Sequence, residues 1–229
     1  MLRLRAELVD AFRRLDTCKV ANAIETFDVR LRNEGFADSR IRAVFDDLPP
    51  AIGHAVTARI HGSTPPPVGH TYHDRTDWWN YILTVPPPRV VVVEDTDERP
   101  GIGSFVGEVH ANILKALGCA AYVTNGAVRD LPRVRALGFQ FFAPCVAVSH
   151  AYVHMIEFGR PVSVGGLTVA SGDVVFGDCH GLLNLPEQIV DRIPAAVERM
   201  AASERDVIAL CQSPGFSVER LRMLVRDLG

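Results

Sequence analysis

Two loops of this sequence carry the residue types best suited to chemistry. One holds Gly101, Gly103 and Gly107 just before a predicted helix, where free backbone N–H groups and the helix dipole favour an anion such as a carboxylate or phosphate. The other holds Arg129 followed directly by Asp130. A guanidinium beside a carboxylate suits a site that holds a carboxylate substrate next to a divalent metal. Taken alone, the same pair more often forms only a salt-bridged turn.

Two further kinds of site are considered for the same chain. The three glycines approach a dinucleotide-binding fingerprint, but their last spacing is one residue too long and no acidic residue ends the next strand, which argues against a nicotinamide cofactor. The histidines show no metal-ligand pair on a clear helix, although His150 and His154 are four residues apart in a segment interpreted partly as strand. Ordinary surface or partly buried histidines are therefore expected, and His110, on the helix turn beside Glu108, is the most suggestive of them. The candidates weighed as metal ligands are His70, His73, His110, His150, His154 and His180.

A strand–helix–strand unit is predicted to position the two loops. Residues 89–95 are β-branched without alternation, which is typical of a central strand covered on both faces. Apolar residues then recur every four positions from 105 to 117 and stop at Gly118, which predicts a helix of three to four turns. A second buried strand follows at 120–124. In such a unit the ligand site lies beyond the carboxyl ends of the strands.

The remaining segments predict one α/β domain with a mixed sheet. Amphipathic helices open the chain, with Thr17 as a cap between them, and an irregular Pro- and His-rich insertion at about 61–81 contains Trp78 and Trp79, interpreted as packing residues rather than a lid. The other elements are helices at 2–27, 74–83, 131–137, 185–211 (kinked at Pro194) and 218–228, and strands at 52–60, 139–148, 162–169, 173–177 and 182–185.

Composition limits the classes of partner. The chain has 229 residues, 48% apolar, with a net charge of −3 and no basic stripe, so nucleic acid is not an expected partner. Its apolar runs are far shorter than the roughly 18 residues that span a bilayer, so no membrane partner is expected. The N-terminus lacks a secretory or transit pattern, which predicts a cytoplasmic protein. The five cysteines are odd in number and widely spaced, which predicts reduced thiols acting as small core residues: Cys18, Cys119, Cys145, Cys179 and Cys211.

The string from Gly107 to Asp130 resembles the family that includes 4-hydroxy-4-methyl-2-oxoglutarate aldolase and the regulator of ribonuclease E activity A. Twenty residues lie between Glu108 and the Arg129-Asp130 pair, as between the acidic residue and the Arg-Asp pair of the aldolase branch. The similarity continues through residues 164–182 with Pro186, and reaches back weakly to residues 17–23.

This resemblance implies one α/β domain over residues 1–229 of the swivelling, phosphohistidine-domain-like type, with α/β/β/α layers, a central mixed sheet and flanking N- and C-terminal helices. It implies homotrimers or homohexamers with active sites between subunits. It also implies a divalent metal, Mg or Mn, and class II-type carbon–carbon lyase activity. The substrate would be a short pyruvoyl-containing 2-oxo acid, such as 4-hydroxy-4-methyl-2-oxoglutarate or oxaloacetate, cleaved or decarboxylated through a metal-stabilised enolate.

The resemblance also assigns roles to residues. Asp130 would be the metal ligand, Arg129 would bind the pyruvoyl carbonyl or carboxylate, and Glu108 would orient metal-bound water. A glutamate from a neighbouring subunit's C-terminal helix would reach the metal region, and Glu204 is the candidate, with Glu198 behind it. The backbone amides of one turn would hold the substrate carboxylate: Gly103, Ser104, Phe105, Val106 and Gly107.

Two alternatives stay open. The chain could be a non-catalytic regulator of a ribonuclease that acts by protein binding, or a diverged enzyme of the same fold with another substrate, its pocket reshaped by the insertion. The chain departs from the family pattern at Asn22, at Cys179-His180 and in residues 61–73. The complete set of Glu108, Arg129 and Asp130 favours the lyase, because a binding scaffold needs no such group.

Overall fold

The computed structural model describes residues 3–67 and 75–226. Within these ranges helices open and close the chain, a strand–helix–strand unit lies between them, and a run of short strands precedes the last two helices. The helices are α1 (Ala6–Phe12), α2 (Thr17–Glu25), α3 (Arg75–Thr84), α4 (Glu108–Ala116), α5 (Leu131–Leu137), α6 (Ile193–Gln212) and α7 (Val218–Arg226). The strands are β1 (Arg42–Ala43), β2 (Ala51–His61), β3 (Arg89–Asp95), β4 (Cys119–Thr124), β5 (Ala127–Val128), β6 (Gln140–Ala143), β7 (Cys145–Val146), β8 (His154–Phe158), β9 (Val162–Val164), β10 (Leu167–Val169), β11 (Val174–Asp178) and β12 (Gly181–Leu185).

A mixed sheet forms the centre of the fold. Its strand order is β1-β6-β4-β3-β2-β11-β12, with β8 pairing to β2 outside this path. The neighbours β2, β3, β4 and β6 run parallel, whereas β11 is antiparallel to both β2 and β12. The strand–helix–strand prediction is confirmed, since β3 and β4 are parallel neighbours joined through α4.

The two edges of this sheet are joined by the segment before β2. The Ala37 N–H donates to the Leu182 carbonyl at 2.9 Å, and the Asn184 N–H donates to the Gly35 carbonyl at 2.9 Å, both at β12. A few residues later β1 pairs with β6 at the other edge. The sheet is therefore nearly closed.

Three apolar clusters pack on the two faces of the sheet. The inner face of β2, β3, β4 and β6 packs with the hairpin of β9 and β10. The opposite face packs under α3, α4 and α5, while α1, α2 and the start of α6 cover β11 and β12. Because β3 is covered on both sides, six of its seven residues are buried. This burial explains why its sequence is apolar without alternation.

Two predicted helix starts and one predicted helix cap are wrong. Helix α4 begins at Glu108, not at 105, because Val106 is fully buried in the loop before it. Helix α6 begins at Ile193 rather than at 185, because residues 181–185 form strand β12. Pro194 therefore lies in the first turn of α6 and does not kink it. The cap of α2 is Asp16, whose carboxylate accepts from the Lys19 N–H at 2.8 Å. The role predicted for Thr17 is therefore filled by its neighbour.

All five cysteines are free, as predicted, but their predicted role as core residues is correct for one and wrong for four. Cys119 is buried, whereas the other four are exposed because they lie at helix surfaces, in a turn or on the short strand β7. The packing role of Trp78 is confirmed: it is 3% exposed and lies against the rings of Tyr81 and Phe158. None of the described helices is long and apolar enough to cross a membrane.

Candidate active site

The loops after β3 and β4 are tied together where the two strands end. The Asp95 N–H donates to the Asn125 side-chain oxygen at 2.7 Å, and the Asn125 amide donates to the Asp95 carbonyl at 2.9 Å. The Asp95 carboxylate, 3% exposed, accepts from the Gly101 N–H at 2.8 Å. Burial raises the pKa of this carboxyl above its ordinary value. Asp95 and Asn125 thus position both loops, and the sequence signal for them is a polar residue at the end of one buried strand and directly after the next.

A second carboxylate fixes the start of the insertion. Asp97 accepts from the Ser63 hydroxyl at 2.8 Å and from the Gly62 N–H at 3.1 Å, and its Oδ1 lies 2.8 Å from His61 Nδ1. Burial acts to raise the pKa of Asp97, but these hydrogen bonds and the His61 charge outweigh it and lower that pKa. The insertion is therefore anchored where it leaves β2.

Arg129 and Asp130 follow β5 and face the N-terminus of α4. Asp130 has φ of 58°, and its Oδ2 accepts from the Glu108 N–H at 2.9 Å. The first turn of α4 is thus occupied by a carboxylate of the protein itself, a favourable place for an anion. The Glu108 N–H is therefore already paired, and binding of a substrate carboxylate by the other amides of this turn stays a prediction.

Gly107 allows the two loops to approach each other. A Cβ on this residue would lie 2.3 Å from Asp130 Oδ2 and 2.9 Å from Arg129 Nε. A side chain at position 107 would collide with Arg129 and Asp130, so it is the glycine that lets this pair lie against α4.

One donor of Arg129 has no hydrogen-bond acceptor among the residues that the structure describes. Its Nε is buried and forms no hydrogen bond within the described part of the chain, and Asp130 Oδ2 lies 3.7 Å away. A buried N–H without an acceptor costs about 1–3 kcal/mol. An anionic oxygen bound in the pocket would remove this cost.

Arg129, Asp130 and Glu108 line a cavity of about 390 Å³, within the usual range for small-molecule sites. The turn predicted to hold the substrate carboxylate, residues 103–107, is only partly in contact with this cavity. Ser104, Phe105 and Gly107 line the cavity, whereas Val106 is fully buried and Gly103 is not part of the wall. The Ser104 amide is also unavailable to a substrate, because it donates to the Ser149 carbonyl at 3.0 Å.

Three histidines that sequence reasoning set aside form much of the remaining wall. Nδ1 of His110, His150 and His154 lies 2.7–2.9 Å from the carbonyls of Phe105, Ala151 and Tyr152, in that order. A carbonyl only accepts, so Nδ1 carries the proton in each neutral ring. Strand β8, which the sequence analysis did not resolve, delivers His154 to the cavity. His70 and His73 lie outside the described residues.

Glu204 does not meet this cavity within one chain. It lies in a shallow groove on α6 with Ser203, Val207 and Ile208, and its charge acts on Lys19 of α2. The structure therefore brings Glu108, Arg129 and Asp130 together and leaves Glu204 elsewhere.

Comparison with known proteins is consistent with this geometry. Residues 6–183 match the family model RraA-like, described as Aldolase/RraA. The chain belongs to this family. Over 87 residues it is 31% identical to a protein of Halalkalibacterium halodurans provisionally named as a 4-hydroxy-4-methyl-2-oxoglutarate aldolase. That match covers 37% of this chain and 40% of the relative's length.

Solved structures of other proteins share the fold of this chain. RraAS2 of Streptomyces coelicolor, described as an unusual member of the RNase ES inhibitor RraA family, is 22% identical with a TM-score of 0.69, covering 90% of this chain and 97% of that one. An uncharacterized protein of Pseudomonas syringae is 20% identical with a TM-score of 0.74, covering 97% and 95%. At these identities the likeness establishes the mixed α/β fold of the RraA-like family and no activity.

Proposed function

We propose that this RraA-like chain is a metal-dependent carbon–carbon lyase acting on a short pyruvoyl-containing 2-oxo acid, such as 4-hydroxy-4-methyl-2-oxoglutarate or oxaloacetate. The observation that carries the proposal is the buried Nε of Arg129, which has no hydrogen-bond acceptor among residues 3–67 and 75–226 and lies 3.7 Å from the Asp130 carboxylate. A purely structural salt bridge would satisfy that donor. An anionic substrate oxygen is the acceptor that this geometry lacks.

The donor set fits Mg²⁺ or Mn²⁺. The Asp130 side chain is 41% exposed, and its Oδ1 accepts no hydrogen bond within the described ranges. Glu108 lines the same cavity, so two carboxylates and one guanidinium meet there. These cations prefer carboxylate oxygens and keep several waters, which suits an open site with Asp130 as the protein ligand. When bound, the cation would act as a Lewis acid that stabilises negative charge on the pyruvoyl oxygen.

The chain's own residues account for the remaining demands of the reaction. Breaking the bond next to the pyruvoyl group leaves its electron pair on that fragment as an enolate, while the aldol hydroxyl loses its proton and becomes a carbonyl. Arg129 would supply a permanent positive charge and an N–H donor to the developing negative oxygen. Glu108, at the rim of the cavity, would orient the water that takes up the hydroxyl proton.

We also propose that the site is completed in a homotrimer or homohexamer, where Glu204 of a neighbouring subunit reaches the cavity. Helix α7 has no buried residue in the single chain, and large apolar side chains of the α6–α7 region are exposed, including Ile208 and Met223. Burying this surface against another copy would stabilise such an assembly.

The test follows pyruvate release from both substrates with Mg²⁺ or Mn²⁺ and again after addition of a chelator. Asp130→Ala is expected to abolish turnover, and Arg129→Ala to lower kcat/KM by about 10²–10³-fold, the usual cost of one donor to a developing oxyanion. Asp47→Ala is the matched control, because this exposed carboxylate pairs with Arg135 on the surface. Absence of metal-dependent turnover of either substrate would overturn the assignment.

A further inference from the structure

The turn between β11 and β12 carries a second set of possible ligands, which the proposed lyase site does not use. Asp178, Cys179 and His180 each offer one ligand atom, and these atoms lie within 4.8 Å of one another. We propose that the three residues bind Zn²⁺. The inference does not depend on the lyase proposal.

The backbone of the turn makes the three side chains converge. Asp178 and Gly181 are paired in register, so Cys179 and His180 are the two residues of a tight hairpin turn. Both are exposed, whereas Asp178 is 6% exposed. A metal ion could therefore enter from solvent and bind the exposed thiol and imidazole together with the buried carboxylate.

The distances agree with tetrahedral zinc. Cys179 Sγ lies 3.5 Å from His180 Nδ1, and the same nitrogen lies 3.2 Å from Asp178 Oδ1. With Zn–S of about 2.3 Å and Zn–N or Zn–O of about 2.0–2.2 Å, the corresponding edges of a tetrahedron are about 3.6 and 3.4 Å. The thiol and the carboxylate both contact the same ring nitrogen, Nδ1. In a thiol–imidazole–carboxylate relay, by contrast, the thiol and the carboxylate contact different ring nitrogens. The arrangement therefore suits coordination, with the fourth position open to water.

The Asp178 carboxylate is held by bonds that orient a metal ligand. It accepts from the Thr17 N–H at 2.8 Å, from the Thr17 hydroxyl at 2.7 Å and from the His180 N–H at 2.9 Å. Among the described residues its ion-pair partner is His180, and no Lys or Arg approaches it. Outer hydrogen bonds of this kind orient ligating carboxylates in metal sites. A bound cation would balance the charge of this buried group.

The surroundings of the turn are negative. Partial burial raises the pKa of the neighbouring Cys18 thiol, and the carboxylates of Asp16 and Asp178 raise it further. The nearby cation Lys19 is paired with Asp16 at 3.1 Å. On zinc binding the Cys179 S–H bond is replaced by an S–Zn bond, one proton leaves to solvent, and the His180 proton resides on Nε2.

This turn lies far from the lyase cavity. Gly177 of β11 pairs with Ala51 at the start of β2, whereas Asp95 pairs with Ile60 near its end. Nine residues of strand separate these positions, on the order of 30 Å at about 3.3 Å per residue. Loss of one site should therefore leave the other intact.

The test uses the full chain, stripped of metal and titrated with Zn²⁺ against a chromophoric chelator, and with Co²⁺ as a spectroscopic probe. We expect one equivalent bound, with a thiolate-to-cobalt charge-transfer band. Cys179→Ser and His180→Ala should each lower the affinity at least 10–100-fold, roughly the loss seen when an outer partner of a ligand is removed. Cys211→Ser, which removes an exposed thiol from α6, and Asp130→Ala should both keep zinc binding.

Three results would overturn the proposal: wild-type affinity no higher than that of Cys179→Ser, no thiolate band with Co²⁺, or equal loss in Cys211→Ser. The two ligand variants change exposed turn residues and are expected to fold, which circular dichroism would verify. The outcome is also distinct from failure of the lyase assignment, because Cys179→Ser should retain pyruvate release and Asp130→Ala should retain zinc.

Discussion

Replacing Gly107 by Ala adds one methyl group where the two loops of the cavity meet and keeps every charged residue of the site. The backbone at Gly107 has φ of −119° and ψ of −158°, an extended conformation that alanine also adopts. The substitution therefore introduces no backbone strain. Its effect comes from the contact of the new Cβ with Asp130 Oδ2, 2.3 Å away before any adjustment.

The size of the effect follows from that distance. Real Cβ contacts are essentially never under 3.0 Å, so the Asp130 carboxylate must move by about 0.7 Å or more. Its 2.9 Å hydrogen bond from the Glu108 N–H is then stretched or lost, and Arg129 Nε is displaced with it. A displacement of about 1 Å at a reacting group costs on the order of 100-fold in rate, whereas Gly to Ala at a helix cap costs about 1 kcal/mol or less in stability.

The assay measures kcat/KM for pyruvate release with saturating Mn²⁺, coupled to lactate dehydrogenase, alongside thermal unfolding. Gly107→Ala should lose about 100-fold in kcat/KM while remaining folded at the assay temperature. Gly166→Ala is the control. Its Cβ would meet nothing within 4 Å, but its φ of 76° is unfavourable for alanine, so it should lower stability and leave kcat/KM unchanged.

A folded Gly107→Ala variant with the wild-type kcat/KM would refute the reasoning. It would mean that the contact of Gly107 with the Arg-Asp pair does not set the geometry of the reacting groups. A variant that loses activity only because it unfolds would be recognised by a fall in melting temperature larger than that of Gly166→Ala.

Three further predictions concern stability. Arg89 is buried and donates to the carbonyls of Val85 and Leu117, so Arg89→Ala should lower the free energy of unfolding by about 2–4 kcal/mol in urea titration. Thr57 is fully buried with no hydrogen-bond partner for its hydroxyl in the described ranges, so Thr57→Val should raise that free energy by about 1 kcal/mol, and a loss would contradict this. The pKa of Asp97 is lowered in the folded chain. The ionised carboxylate therefore stabilises the folded chain at pH values above the ordinary carboxyl pKa, and this stabilisation is lost as pH falls. The difference in unfolding free energy between wild type and Asp97→Asn should therefore shrink below about pH 4, and a pH-independent difference would exclude this linkage.

The sequence alone was sufficient for the central unit of the fold. The β-branched run of β3 and the apolar run of β4 report the burial of continuous segments. The four-residue repeat predicted helix α4 but not its buried face, since Val109 is 74% exposed and the buried residues are Ala111 and Leu114. The register of the parallel strands then brings Arg129 and Asp130 close to Glu108. Short elements were less predictable: β1 and β8 are stabilised by partners distant in the chain, and local periodicity does not record those partners.

The sequence by itself thus determined the strand–helix–strand unit and the residue types of the site, because burial patterns and motif spacing are local properties of the chain. Only the tertiary structure decided how those residues are used. It showed that the Glu108 N–H at the start of α4 donates to Asp130, that Gly107 leaves room for the Arg-Asp pair, and that β8 delivers His154 to the cavity wall. These facts depend on contacts between segments distant in sequence, which form only when the whole domain packs.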